Sequence, residues 1–83
     1  MGERYQIFSK VNCPWCVKAK KLLDDRGLWY DVKMIPDDIS RDDFIAMMTL
    51  HGISKPTVPQ VFWNGRHVGG YEELAAELDL YHY

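Results

Sequence analysis

The two cysteines of the chain, Cys13 and Cys16, are separated only by Pro14 and Trp15. Thiols at this spacing can open and close a disulfide between themselves, and the pattern reads first as redox chemistry. The nucleophile in disulfide exchange is the thiolate, so the chemistry needs surroundings that favour a charged sulfur. The stretch lies between an apolar run, Tyr5 to Phe8, and a run with helical spacing. A helix N-terminus offers unpaired N–H groups and the positive end of the aligned peptide dipoles, and both stabilise an anion. The second thiol, one turn later, can attack a mixed disulfide formed on the first. A bridge over so short a loop constrains the unfolded chain little, which argues against a purely structural disulfide. Zinc would need two further ligands, and His51, His67 and His82 lack the paired spacing of a zinc site.

The elements that must position this pair can be read along the chain. Tyr5 to Phe8 is rich in β-formers and reads as a strand. Pro14 suits the first turn of a helix, where its missing N–H costs nothing. Ala19, Leu22 and Leu23 then recur at helical spacing, with Lys18, Lys20, Lys21 and Asp25 toward water, and Arg26-Gly27 marks the end. Trp29 to Ile35 reads as a second strand, with Tyr30, Val32 and Met34 on one face. Ile35-Pro36-Asp37-Asp38 is a loop, and Ser40 to Asp43 resembles a capping box ahead of a helix carrying Phe44, Met47, Met48 and His51 on one face. Gly52 stops that helix, and Ile53 to Thr57 connects it onward. Gln60 to Trp63 and Arg66 to Val68 form a hairpin about Asn64-Gly65. Gly69-Gly70 gives a turn, and Tyr71 to Leu80 a last helix with Glu72 and Glu73 in its first turn.

The order β-α-β-α-β-β-α predicts an α/β fold: a four-stranded mixed sheet with helices on both faces. Its first two strands should be parallel with a right-handed crossover. Trp29, Phe44, Phe62, Met47 and Met48 are expected in the core. Trp63 is expected at the surface or an edge, and His67 and His82 at the surface. Trp15 should be partly exposed beside Cys13.

Eighty-three residues suffice for one domain, taken as residues 1–83, with a small core. A net charge of −2 gives no reason to expect nucleic acid or an acidic membrane as partner. No run approaches a membrane span. Met1 to Arg4 lacks the apolar stretch of a signal peptide, so a cytoplasmic location is expected, and with it a reactive rather than structural use of cysteine.

Three motifs together resemble the glutaredoxins: Lys10-x-x-Cys13-Pro14-Trp15-Cys16, Thr57-Val58-Pro59, and Gly69-Gly70-Tyr71-Glu72. The resemblance covers essentially the whole chain and implies a minimal thioredoxin-like fold. It implies Cys13 as the nucleophile that takes up glutathione and Cys16 as the resolving thiol for protein disulfides. Lys10 would face the glycine carboxylate of glutathione. Thr57, Val58 and Pro59 would form a cis-proline loop whose Val58 backbone pairs with the cysteinyl part. Gly70, Tyr71 and Glu72 would receive the γ-glutamyl end, beside Trp15. These roles are physically sound, because an X-Pro bond adopts cis at small cost and an exposed strand-like backbone binds peptide-like ligands by strand addition. A helix N-terminus can hold the γ-glutamyl α-carboxylate. Two positions depart from the usual family pattern: Glu72 stands where Asp or Ser is common, and Trp15 where Tyr or Phe is common. The second residue on the glycine carboxylate has Lys55 and His51 as candidates.

The resemblance implies a monomeric glutathione-dependent oxidoreductase acting on protein disulfides and glutathionylated proteins, with ribonucleotide reductase as a family-level recipient and no bound metal. Two alternatives remain at this stage. One is an iron–sulfur carrier whose cluster bridges two subunits with glutathione. The other is a redoxin of the same fold reduced by thioredoxin reductase. The proline after Cys13 goes with the redox class. Lys10, Gly69-Gly70 and Glu72 favour glutathione as reductant.

Overall fold

A computed structural model describes residues 4–81. His82, expected at the surface, lies outside the described residues. The element order is β1 (Tyr5–Ser9), α1 (Pro14–Asp25), β2 (Tyr30–Met34), α2 (Arg41–Leu50), β3 (Gln60–Trp63), β4 (Arg66–Gly69) and α3 (Tyr71–Tyr81). The strands form one mixed sheet in the order β2-β1-β3-β4. β1 runs parallel to β2, with Ile7 opposite Val32, and antiparallel to β3, with Ile7 opposite Val61. β3 and β4 close an antiparallel hairpin through Asn64 and Gly65, whose φ angles of 49° and 86° fit a turn with both central residues left-handed.

Alternation along β1 distributes its side chains to two cores. Tyr5 and Ile7 join Ala19, Leu23, Val61, Leu74 and Leu78 beneath α1 and α3. Phe8 points the other way and joins Phe44, Met48 and Phe62 beneath α2. Each fully buried aliphatic side chain here contributes about 1.5–3 kcal/mol relative to exposure. The two cores confirm the expected helices on both faces. α1 ends with Gly27 N–H bonded to Asp24 O and Leu28 N–H to Leu23 O, the paired reverse bonds that close a helix at glycine. Ser40 Oγ accepts the Asp43 N–H at 3.0 Å and starts α2, as its capping pattern predicts.

Three positions differ from expectation. Trp29 is 75% exposed. It shares parity with Asp31 and Lys33, the exposed side of β2, whereas Tyr30 and Val32 face the first core. β2 is an edge strand, and Asp31 on that side meets the Arg4 guanidinium rather than a core side chain. Trp63 is half-buried rather than superficial: its ring packs against Tyr5 at 6.4 Å, with the Arg66 guanidinium 5.9 Å from its centroid. His51 follows the core face of α2 but occupies its C-cap, and it is exposed with its ring against Phe62.

Candidate active site

Cys13 is the N-cap of α1, in extended backbone conformation, with Pro14 opening the helix. Asn12 precedes it with φ 55°, a left-handed conformation that Asn tolerates better than most residues, and this turns the chain from β1 into the helix. Cys13 Sγ accepts the Cys16 N–H at 3.2 Å. One of the unpaired donors of the helix terminus is therefore aimed at the sulfur. The first turn brings Pro14, Trp15 and Cys16, with no acidic side chain to oppose a thiolate. Cys13 and Cys16 are joined by a disulfide. Cys13 keeps a small exposed surface, 8%, and Cys16 almost none, 1%. An incoming sulfur can reach Cys13 first.

The Val58-Pro59 bond is cis, as expected. Val58 O lies 3.8 Å from Cys13 Sγ, so the loop borders the reactive sulfur directly. Two depressions share Thr57 and Val58. One, about 630 Å³, is lined by Lys10, Arg41, Pro36 and Phe44 among others. The other, about 290 Å³, is lined by Trp15, Pro59, Gly70, Tyr71, Glu72 and Glu73. Together they make a groove past Cys13 with cations at one end and carboxylates with aromatic rings at the other.

The aromatic end is built from α1 and α3. The Trp15 ring is half-exposed and lies 5.5 Å from Tyr71, with Lys18 Nζ 4.5 Å from the Trp15 ring centroid. Lys18 is thus more than a solvated lysine: it holds Trp15 by a cation–π contact. Glu73 Oε1 accepts the Gly70 N–H at 2.8 Å, the return half of a capping box at the start of α3. Gly69 has φ 128°, and a Cβ there would meet Glu73 Cγ at 2.7 Å, so the close approach of β4 to α3 requires glycine.

Every predicted site residue, namely Lys10, Cys13, Trp15, Cys16, Thr57, Val58, Pro59, Gly70, Tyr71 and Glu72, belongs to this groove or to the disulfide at its centre. Lys55 and His51 do not line the Lys10 end. His51 instead lies against Phe62 and His67, at ring distances of 5.0 and 6.2 Å. The additional cation is Arg41, which opens α2. A cation at a helix N-terminus opposes the dipole, and that mismatch was the signal in the sequence.

A family comparison decides how this groove is to be classed. The glutaredoxin family profile matches residues 6–68. The chain belongs to the glutaredoxin family. A glutaredoxin of Ricinus communis is 38% identical over 71 residues, covering 86% of this chain and 69% of the relative. A hybrid peroxiredoxin of Haemophilus influenzae is 39% identical over 72 residues, covering 87% of this chain but only 28% of that protein. Glutaredoxin 1 from Francisella tularensis, solved with cacodylate, superposes with a TM-score of 0.81 at 32% identity, covering 95% of both chains. A buckwheat glutaredoxin–glutathione complex superposes with a TM-score of 0.78 at 29% identity, covering 93% of this chain and 69% of the other. The fold is therefore thioredoxin-like. As a glutaredoxin with a Cys13–Cys16 pair, the chain is a thiol–disulfide oxidoreductase.

Proposed function

We propose that this glutaredoxin uses glutathione and reduces glutathione mixed disulfides and protein disulfides. The observation that carries the reading is the polarity of the groove past Cys13: Lys10 and Arg41 at one end, Glu72, Glu73 and two aromatic rings at the other, and the Val58 loop, which borders both depressions, between them. Glutathione has matching groups in the same order: a glycine carboxylate, a cysteinyl unit that can pair with Val58, and an α-ammonium. The buckwheat relative solved as a glutathione complex supports the same ligand.

In the reduced protein the Cys13 thiolate attacks the glutathione sulfur of a mixed disulfide. The new Cys13–glutathione bond forms as the old S–S bond breaks, and the target leaves as a thiolate. A second glutathione thiolate then attacks the bound glutathione sulfur, releasing glutathione disulfide and regenerating the Cys13 thiolate. With a protein disulfide, Cys13 forms a mixed disulfide as one target thiolate leaves. Cys16 then attacks the Cys13 sulfur, releasing the second target thiol and giving the Cys13–Cys16 bridge, which two glutathione thiols reduce back to the dithiol with release of glutathione disulfide. Cys16 is buried one turn away, so it reaches Cys13 and not the solvent.

A cytoplasmic setting, where glutathione is reduced and abundant, suits this cycle. Ribonucleotide reductase and peroxiredoxin-type thiol proteins are the recipients to assay, the latter because a hybrid peroxiredoxin is among the relatives. The deciding experiment is turnover of a glutathionylated substrate, coupled to glutathione reductase, in wild type and two variants. Cys13→Ser should lose all activity. Cys16→Ser should keep mixed-disulfide reduction and lose most reduction of protein disulfides. Full deglutathionylation by Cys13→Ser would refute the proposal.

A further inference from the structure

The proposed ligand backbone partner, Val58, sits in a loop whose shape must be held without a regular ladder. Gln60 stands directly after that loop and is buried. Its Nε2 donates to Thr57 O at 2.8 Å, closing a ring over the Val58-Pro59 bond. A carbonyl oxygen can only accept, so the amide orientation is decided: Oε1 points away from Thr57. That oxygen lies 2.8 Å from His67 Nε2 on β4. Because Oε1 is also only an acceptor, His67 must carry its proton on Nε2. The chain of bonds is therefore directional, from His67 Nε2–H through the Gln60 amide to Thr57 O. The His67 ring, half-buried rather than at the expected surface position, lies edge-on against Phe62 of the α2-side core, with centroids 5.1 Å apart.

We infer that His67 and Gln60 form a positioning relay that sets the Thr57-Val58-Pro59 loop for backbone pairing with the bound thiol peptide. Neither residue lines the groove. Each acts through the next: Phe62 and β4 fix the His67 ring, His67 fixes the Gln60 rotamer, and Gln60 fixes the Thr57 carbonyl. A glutamine held at both ends of its amide keeps one conformation, whereas one held at a single end is free to turn. The ligand role of the relay rests on the glutathione reading above, and the loop geometry does not.

The test compares His67→Phe, which keeps a ring and removes the donor, with His67→Gln, whose side-chain amide can donate to Gln60 Oε1. Gln60→Glu is a third variant, which keeps the acceptor for His67 and cannot donate to Thr57 O. Steady-state turnover of a glutathionylated peptide should show KM raised about fivefold in His67→Phe and Gln60→Glu, the effect of losing one net hydrogen bond, with kcat unchanged. His67→Gln should return KM to within about twofold of wild type. A merely structural role would lower thermal stability without this split and without rescue. The amide resonance of Val58 supplies a reading that needs no ligand: it should move in His67→Phe and return in His67→Gln. An unmoved Val58 resonance, or equal KM in wild type and His67→Phe, overturns the relay. If wild type itself fails to use glutathione, the proposed function falls while the Val58 resonance still decides the relay.

Discussion

Arg41→Gln probes the part of the groove that charge alone should govern. Arg41 and Lys10 line the same depression, and both side chains are exposed. Two unit charges about 4 Å apart attract by about 1 kcal/mol in water and about 4 kcal/mol in typical near-surface surroundings. The open groove selects the screened end of that range, in line with the roughly 0.2–1 kcal/mol measured for exposed pairs. A loss of about 1 kcal/mol corresponds to about a fivefold rise in KM for a glutathionylated substrate. Because Arg41 serves binding at a distance from the sulfur, kcat should stay constant. Turnover should be measured at low ionic strength, where the effect is largest, and again with added salt, where it should shrink. A second substrate, with the glycine carboxylate of glutathione converted to an amide, completes the cycle. It should already show a raised KM with wild type and no further rise with Arg41→Gln. Lys55→Gln is the control cation outside the groove, and it should change nothing. An equal loss on the acid and amide substrates, or a Lys55→Gln loss as large as that of Arg41→Gln, would refute the reasoning.

Gly69→Ala should destabilise the protein by about 2–4 kcal/mol in urea denaturation, combining a disfavoured φ with overpacking against Glu73; a change below about 0.5 kcal/mol would show that α3 yields freely at no cost. Ser9 is fully buried, and its hydroxyl has no hydrogen-bond partner among the described residues. Ser9→Ala in the disulfide form should therefore raise stability by about 1 kcal/mol, and a loss of that size would reveal a partner for the hydroxyl. Burial, and then the neighbouring His51, push the His67 pKa below the ordinary histidine value, with Glu73 opposing. A histidine depressed on folding supports the native state above its unfolded pKa, about 6.5, and loses that contribution as pH falls through the lower folded value. Stability measured from pH 7.5 to 5 should thus decline more steeply in wild type than in His67→Gln; parallel profiles would contradict the assignment.

Much of this architecture is local, and local physics is legible. The α1 N-terminus is marked by Pro14 after a capping position, α2 by Ser40, and the hairpin by Asn64-Gly65, because each depends on neighbours within a few residues. Strand parity on β2 was equally readable at Tyr30 and Val32. Trp29 lies outside the core because β2 is an edge strand, and strand order is not a local property. Trp63 is half-buried for the converse reason: Tyr5, far away in sequence, packs against it.

The candidate site divides in the same way. Cys13 and Cys16, the proline loop and the Gly69-Gly70 turn carry spacing and backbone constraints that single segments express, so the sequence alone determined the redox pair, and its resemblance to the glutaredoxins implied the groove's main lining. Arg41 beside Lys10 and the Trp15–Tyr71 ring pair join elements distant along the chain, while the Lys18–Trp15 contact and the His67–Gln60–Thr57 chain span few residues but depend on side-chain orientations that packing selects. They exist because the sheet places β4 beside β3 and sets the start of α2 across from Lys10. Only the tertiary structure decided them, since a long cation or a neutral ring is compatible with many partners until packing leaves one.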